Sequence, residues 1–182
     1  MLPTRAVIAV LLLSGWCAAQ VRPCDCDLSD PVKLAQRQCG LCREAEKQPL
    51  DQPYFYLKDV NPRKPNRWLA LPRAHFECGG GLHRMTHAQR TGLWTAAIRK
   101  ARELWGDAWG IAINGDHVRT QSHAHVHIGK LLQGVETSNF VVVNGPEEIP
   151  LPKNGTGLWI HPVGNRLHVH VGEEITETVL LR

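Results

Sequence analysis

The hydrophobic positions of this chain change period several times, and each change marks an element. Tyr54-Phe55-Tyr56-Leu57 and Arg67-Trp68-Leu69-Ala70-Leu71 are short apolar runs, closed by Asp59-Val60-Asn61-Pro62 and by Pro72. Such runs predict strands. Leu93, Ala97, Ala101 and Leu104 then recur at steps of three and four behind Thr86 and Gln89, a capping-box pair. That spacing predicts an amphipathic helix of about 18 residues. Strand-like runs return at 109–113, 122–132, 140–143, 158–163, 166–171 and 175–181. Ser29 or Asp30 before Pro31 predicts a further helix start, and Cys78-Gly79-Gly80-Gly81 a mobile loop. The pattern as a whole predicts an α+β fold, with an antiparallel sheet, one long packed helix and a C-terminal β-meander.

Composition changes this picture little. A hydrophobic fraction of 43% and a charged fraction of 21% fit an ordinary globular chain, and 182 residues suit one domain with an extension. The first residues read differently. Arg5, the apolar stretch Ala6 to Leu13 and the small residues Cys17-Ala18-Ala19 predict a signal peptide over 1–19 and an exported protein, periplasmic or secreted. A lipoprotein signal at Cys17 and an uncleaved membrane anchor are the rival readings. The remainder divides into a Cys-rich extension (20–46), a core (47–132) and a C-terminal β extension (133–182).

The net charge of +4 falls to +3 when the leader takes Arg5 with it. Arg63-Lys64-Pro65-Asn66-Arg67 and Arg99-Lys100-Ala101-Arg102 could attract phosphates or an anionic membrane surface, with solvated surface charge as the plainer reading. No array of basic and aromatic residues points to nucleic acid.

The chemistry concentrates in Ser122-His123-Ala124-His125-Val126-His127-Ile128. In an extended strand alternate residues share a face, so the three histidines line one side and Ala124, Val126 and Ile128 the other. Three imidazoles can bind metal, bind phosphate, or act as nucleophile and acid–base groups near neutral pH. Chance alternation on a solvated strand is the plain alternative. Cys39-Gly40-Leu41-Cys42 with distant histidines is a tetrahedral zinc pattern. In an oxidising compartment, disulfides from Cys24 or Cys26 to either of these cysteines compete with it, as does an all-cysteine zinc site from Cys24, Cys26, Cys39 and Cys42.

In chain order, Cys39-Gly40-Leu41-Cys42, Asp59-Val60-Asn61-Pro62, Pro72-Arg73-Ala74-His75, a long helix and the alternating histidines resemble the histidine-triad (HIT) superfamily over roughly 39–132. The last motif position, apolar in the family, is Gly129 here. Leu57-Lys58-Asp59, Asn114 and Arg119-Thr120-Gln121 are similar to CDP-diacylglycerol pyrophosphatases within that superfamily. The resemblance implies a HIT-like sheet and a hydrolase that splits a phosphoanhydride at a nucleotide α-phosphate, with a nucleotide diphosphate ester as substrate. It makes His125 the nucleophile, supported by His123 and His127. Asn114, Arg119, Thr120, Gln121 and Ser122 become the substrate contacts. It also implies a structural zinc on Cys39, Cys42, His75 and His123, with no cofactor required for catalysis. His123 cannot readily serve both zinc and phosphate. A nucleotidyl transferase and a noncatalytic zinc- or nucleotide-binding protein are the alternatives.

A second histidine group follows from local pattern alone. Gly164-Asn165 is a hairpin signal that sets His161 opposite His168 and leaves His170 on their face. A solvated sheet face is the plain reading, beside an accessory metal site or a second wall of the active cleft.

Overall fold

A computed structural model describes residues 26–76 and 81–182. The expected leader at 1–19, Cys24 and Cys78 to Gly80 lie outside these residues. Asp30 caps α1 (Pro31–Leu34), its carboxylate accepting from the Val32 and Lys33 amides. After α2 (Gly40–Glu46) come β1 (Tyr54–Lys58) and β2 (Trp68–Pro72). The long helix α3 (His87–Trp105) opens with both arms of the Thr86/Gln89 capping box in place. Then follow β3 (Trp109–Ile113), β4 (Val126–Lys130), β5 (Phe140–Val143), β6 (Gly157–Val163) and β7 (Arg166–Glu173). The described residues thus form a mixed α/β fold, with one seven-stranded antiparallel sheet in the order β1-β2-β4-β3-β6-β7-β5. No helix among them is long and apolar enough to cross a membrane.

Alternation divides the sheet into two faces. On one, Val126, Ile128, Ile111, Ile113, Leu158, Ile160 and Val169 pack under Leu93, Trp94, Ala97, Ile98 and Ala101 of α3. This is the main core. On the other face, His127 lines up through the strand register with Leu69 on one side and with Ala112, Trp159, His170 and Phe140 on the other. That face is covered in pieces. The Leu41 and Ala45 side of α2 lies over Phe55, Leu69 and Leu71, while Val179 and Leu180 lie over Ala112 and Trp159.

Three expectations are corrected. The strand over 122–132 shrinks to Val126–Lys130, because the Ser122 amide donates to Gln38 O (2.9 Å) in the N-terminal extension instead of to a neighbouring strand. The strand over 175–181 is a 3-10 turn, Thr176–Val179, because the Asn114 side chain accepts from the Thr176 and Glu177 amides (both 3.0 Å) and turns the chain there. The C-terminal strands are no meander. The β6–β7 hairpin joins β3 directly and β5 adds beyond β7, so they extend the core sheet itself. Of the predicted glycine loop only Gly81 is described, and it opens a 3-10 turn (Gly81–Arg84).

Cys26 and Cys39 form a disulfide with Cα atoms 5.5 Å apart across 13 residues. Closing a loop of this size in the unfolded chain is worth roughly 3 kcal/mol. Replacing both cysteines by serine should therefore lower the free energy from urea unfolding by about that amount. An unchanged midpoint and slope would show that the bridge constrains nothing.

Candidate active site

The three histidines are all buried, at 4%, 6% and 6% exposure for His123, His125 and His127. His127 belongs to β4, and the other two lie on the approach to it. The triplet divides in two. His123 turns toward the N-terminal extension, with its ring edge-on to His75 (centroids 5.0 Å) and Nε2 2.7 Å from Pro72 O. His125 and His127 face each other edge-on at 4.9 Å. His125 Nδ1 lies 2.8 Å from the His123 carbonyl. A carbonyl only accepts, so Nδ1 carries the proton and Nε2 keeps its lone pair.

The polar lead-in also divides. Arg119 is 3% exposed. Its Nη2 lies 2.8 Å from Asp116 Oδ1, yet none of its three side-chain nitrogens makes a directed hydrogen bond to the described residues. The guanidinium packs on Gly81, where a Cβ would stand 3.0 Å from Nη1, and φ is +44°. Glycine meets both demands at once. Ser122 Oγ is likewise buried without a partner among the described residues. Thr120 is exposed.

Two expected substrate contacts are engaged within the protein. Gln121 donates from Nε2 to Arg37 O (2.8 Å) and accepts at Oε1 from the Leu41 amide (3.3 Å), so its amide ties the extension down. Asn114 Oδ1 is taken by the turn at Thr176 and Glu177.

The expected zinc ligands come together in part. Ligand atoms of Cys42, His75 and His123 lie within 4.8 Å of one another, a group that can hold a metal ion. Cys39 is corrected: its sulfur is spent in the bridge to Cys26, and a disulfide offers no thiolate. Burial pushes the Cys42 thiol up to about 11, so without a cation it stays protonated. His75 Nε2 lies 2.7 Å from Glu46 Oε1. Both imidazoles therefore have an outer nitrogen held by an oxygen, the usual support of a metal-binding histidine.

Sequence reasoning missed Glu177 and Arg67. Glu177 Oε2 is 3.5 Å from His127 Nδ1, 2.5 Å from Lys64 Nζ and 3.4 Å from Arg67 Nη1. Arg67, 1% exposed, also donates to the carbonyls of Glu177 (2.7 Å), Leu180 (2.5 Å) and Leu181 (2.6 Å). The basic cluster at 63–67 is thus partly spent inside the protein. The signal the sequence offered was Gly129, where the histidine motif that the chain resembles has an apolar residue. It pairs with Gly110. A Cβ at Gly129 would stand 3.1 Å from both Arg67 Cδ and Leu180 Cβ, so the bare strand admits the returning C-terminus.

Burial sets the electrostatics. It pushes His127 down to about 3, helped by the neighbouring His125 and opposed by Glu177. It pushes His123 down to about 4, and it lowers His125 too, with the Arg119 charge adding to the effect. Burial alone would raise the Glu177 carboxyl, but His127, Lys64 and Arg67 outweigh it and hold the group at about 2. At neutral pH the histidines are therefore neutral and Glu177 is ionised.

A pH dependence of stability follows. Between the usual 6.5 and the folded values of about 3 and 4, the unfolded chain binds more protons at His127 and His123 than the folded one. Stability therefore falls as pH falls through this window, on the order of 1 kcal/mol per pH unit for each histidine. Glu177 adds the same sign below its usual 4.5. Thermal unfolding scanned from about pH 7.5 to about pH 4.5 checks this; a flat midpoint would contradict it.

The same neutrality leaves a lone pair on His125 Nε2, with the Arg119 charge acting on the ring. No protein-family model matches the chain, and no curated protein matches it significantly.

Proposed function

We propose that this chain is an exported hydrolase of the histidine-triad type, cleaving a phosphoanhydride at a nucleotide α-phosphate through a nucleotidyl–His125 intermediate. The observation that carries the reading is the Nδ1 bond of His125 to the His123 carbonyl at 2.8 Å. It orients the ring and keeps the proton off Nε2, as a neutral nucleophile requires. In the first step Nε2 attacks phosphorus, and the bridging P–O bond breaks with its electron pair leaving on the departing phosphate. In the second, water attacks the same phosphorus. The P–N pair returns to His125, and the water proton passes to solvent.

Arg119 and Ser122 support the reading because Nε and Nη1 of Arg119 and Oγ of Ser122 are buried without a partner among the described residues, while Nη2 of Arg119 is ion-paired with Asp116. Developing phosphate charge in a low-dielectric site is where such donors act most strongly. His127, packed on His125 and backed by Glu177, takes the supporting role. A zinc ion on Cys42, His75 and His123 would pin α2 to the triad approach and supply structure only. His123 then serves the metal, leaving phosphate to Arg119, Ser122 and His127. The leader at 1–19 and the Cys26–Cys39 bridge both suit an oxidising compartment.

The test is a trapping experiment. Full-length protein is mixed with CDP-diacylglycerol or a soluble dinucleotide, quenched within the first turnover, and weighed by mass spectrometry. A nucleotidyl increment on the peptide carrying His125, chased by water, is expected. Turnover with the increment on another residue overturns the assignment, and transfer of the label to an added alcohol in preference to water favours the transferase.

A further inference from the structure

The second histidine group lies on the triad's face of the sheet but on other strands. Register in the β6–β7 hairpin sets His161 directly opposite His168, with His170 two residues on. This face is not solvated as the sequence pattern suggests. Residues between β4 and β5 lie across it and bring in Glu136, whose Oε1 is 2.6 Å from His168 Nδ1 and 3.5 Å from His161 Nε2. Ligand atoms of all three side chains lie within 4.8 Å of one another.

We propose that Glu136, His161 and His168 form an accessory site for a divalent transition metal of the zinc class. Three observations converge on it. First, His161 Nε2 is a buried nitrogen with no hydrogen-bond partner among the described residues. The side chain around it is 6% exposed, and the atom faces the Glu136 carboxylate at 3.5 Å, a weak contact at most. Such an atom in a native site calls for an explanation, and a cation between the three groups supplies one.

Second, the spacing needs little change. Ligand atoms about 2.0–2.1 Å from a tetrahedral zinc stand roughly 3.3 Å apart, so the 2.6 Å contact opens slightly and the 3.5 Å contact closes slightly. Third, the imidazoles are held in advance. His168 is stacked on Phe140 (centroids 4.2 Å, 11° between planes), and His161 on Trp159 (5.4 Å, 20°). The Trp159 indole nitrogen is in turn fixed to Glu173 Oε1 at 3.1 Å.

The donor set narrows the ligand. Two imidazoles and one carboxylate suit zinc and its first-row neighbours better than calcium or magnesium, which prefer all-oxygen shells. Three protein ligands leave a fourth position for water, and Glu136, at 45% side-chain exposure, places it on the solvent side. From His127 on β4 the site lies two strand spacings away at His161 on β6 and three at His168 on β7, roughly 10 and 14 Å. It therefore acts apart from the triad, clamping the residues that carry Glu136 to the hairpin.

Cobalt(II) reports on this site separately from Cys42. Full-length protein carrying Cys42→Ser is stripped with chelator and titrated with cobalt(II). One equivalent is expected with visible d–d absorption and no thiolate charge-transfer band. Adding Glu136→Gln or His161→Ala should weaken that binding by more than about 100-fold, since even outer partners of a metal site are worth about 10–100-fold. Glu136 is largely exposed, so its variant keeps the fold, and circular dichroism confirms this. Absence of the d–d band in the Cys42→Ser protein, or a band unchanged by the two further substitutions, overturns the proposal. Neither result depends on whether His125 is a nucleophile.

Discussion

His125→Asn is expected to abolish both the trapped adduct and turnover, lowering kcat by a factor of at least about a thousand, or about 4 kcal/mol of barrier. The choice of Asn matters. Its side-chain amide can still donate to the His123 carbonyl, which His125 now holds at 2.8 Å, but it brings no nucleophilic nitrogen to phosphorus. The fold is thus kept while the chemistry is removed. His125→Gly supplies a complementary measurement, because added imidazole should restore part of the turnover by occupying the vacated space. His127→Asn should fall short of these losses, since His127 is packed beside His125 rather than bonded to the reacting atom. Wild-type kcat in His125→Asn, with an intact near-UV spectrum, would end the proposal that this residue attacks.

Arg67→Met is expected to have the largest effect on stability, about 3–5 kcal/mol. Methionine fills much of the volume but removes the Arg67 donor from three carbonyls near the C-terminus, at Glu177, Leu180 and Leu181, of which only that of Glu177 keeps the Leu180 amide. It also removes one of the two cations at the Glu177 carboxylate. For a chain of this length the melting temperature should drop by about 10 °C or more. Arg67→Lys should recover little, because one ammonium cannot span the positions reached by a planar guanidinium. Because Glu177 backs His127, the same variants should lose activity at temperatures where they remain folded. A melting temperature within about 2 °C of wild type would show that the C-terminus is held by other means.

How much of this was legible depended on how far each cause lay along the chain. The start of α3 was readable because Thr86 and Gln89 sit three residues apart and cap each other. The β6–β7 register was readable for the same reason, as Gly164-Asn165 sets it locally. The alternation in 124–128 set Ala124, Val126 and Ile128 opposite the histidines, and the structure packs these three in the core. By contrast, the early start assigned to β4 failed because Gln38, far upstream, takes the Ser122 amide. The strand assigned to 175–181 failed because Asn114 and Arg67 gather that segment into a turn.

The candidate site follows the same division. Sequence alone set the alternation of His123, His125 and His127 with Ala124, Val126 and Ile128, which strand geometry turns into opposite sides with period two, though only His127 lies within the strand itself. Only the tertiary structure decided what each of them meets. It set His123 beside His75 and Cys42, bound Cys39 to Cys26, brought Glu177 to His127 and laid Glu136 across His161 and His168. The physical reason is that period and capping are properties of neighbouring residues. A buried polar atom's partner is whatever the folded chain carries to it, here from as far away as Arg67 to Leu181.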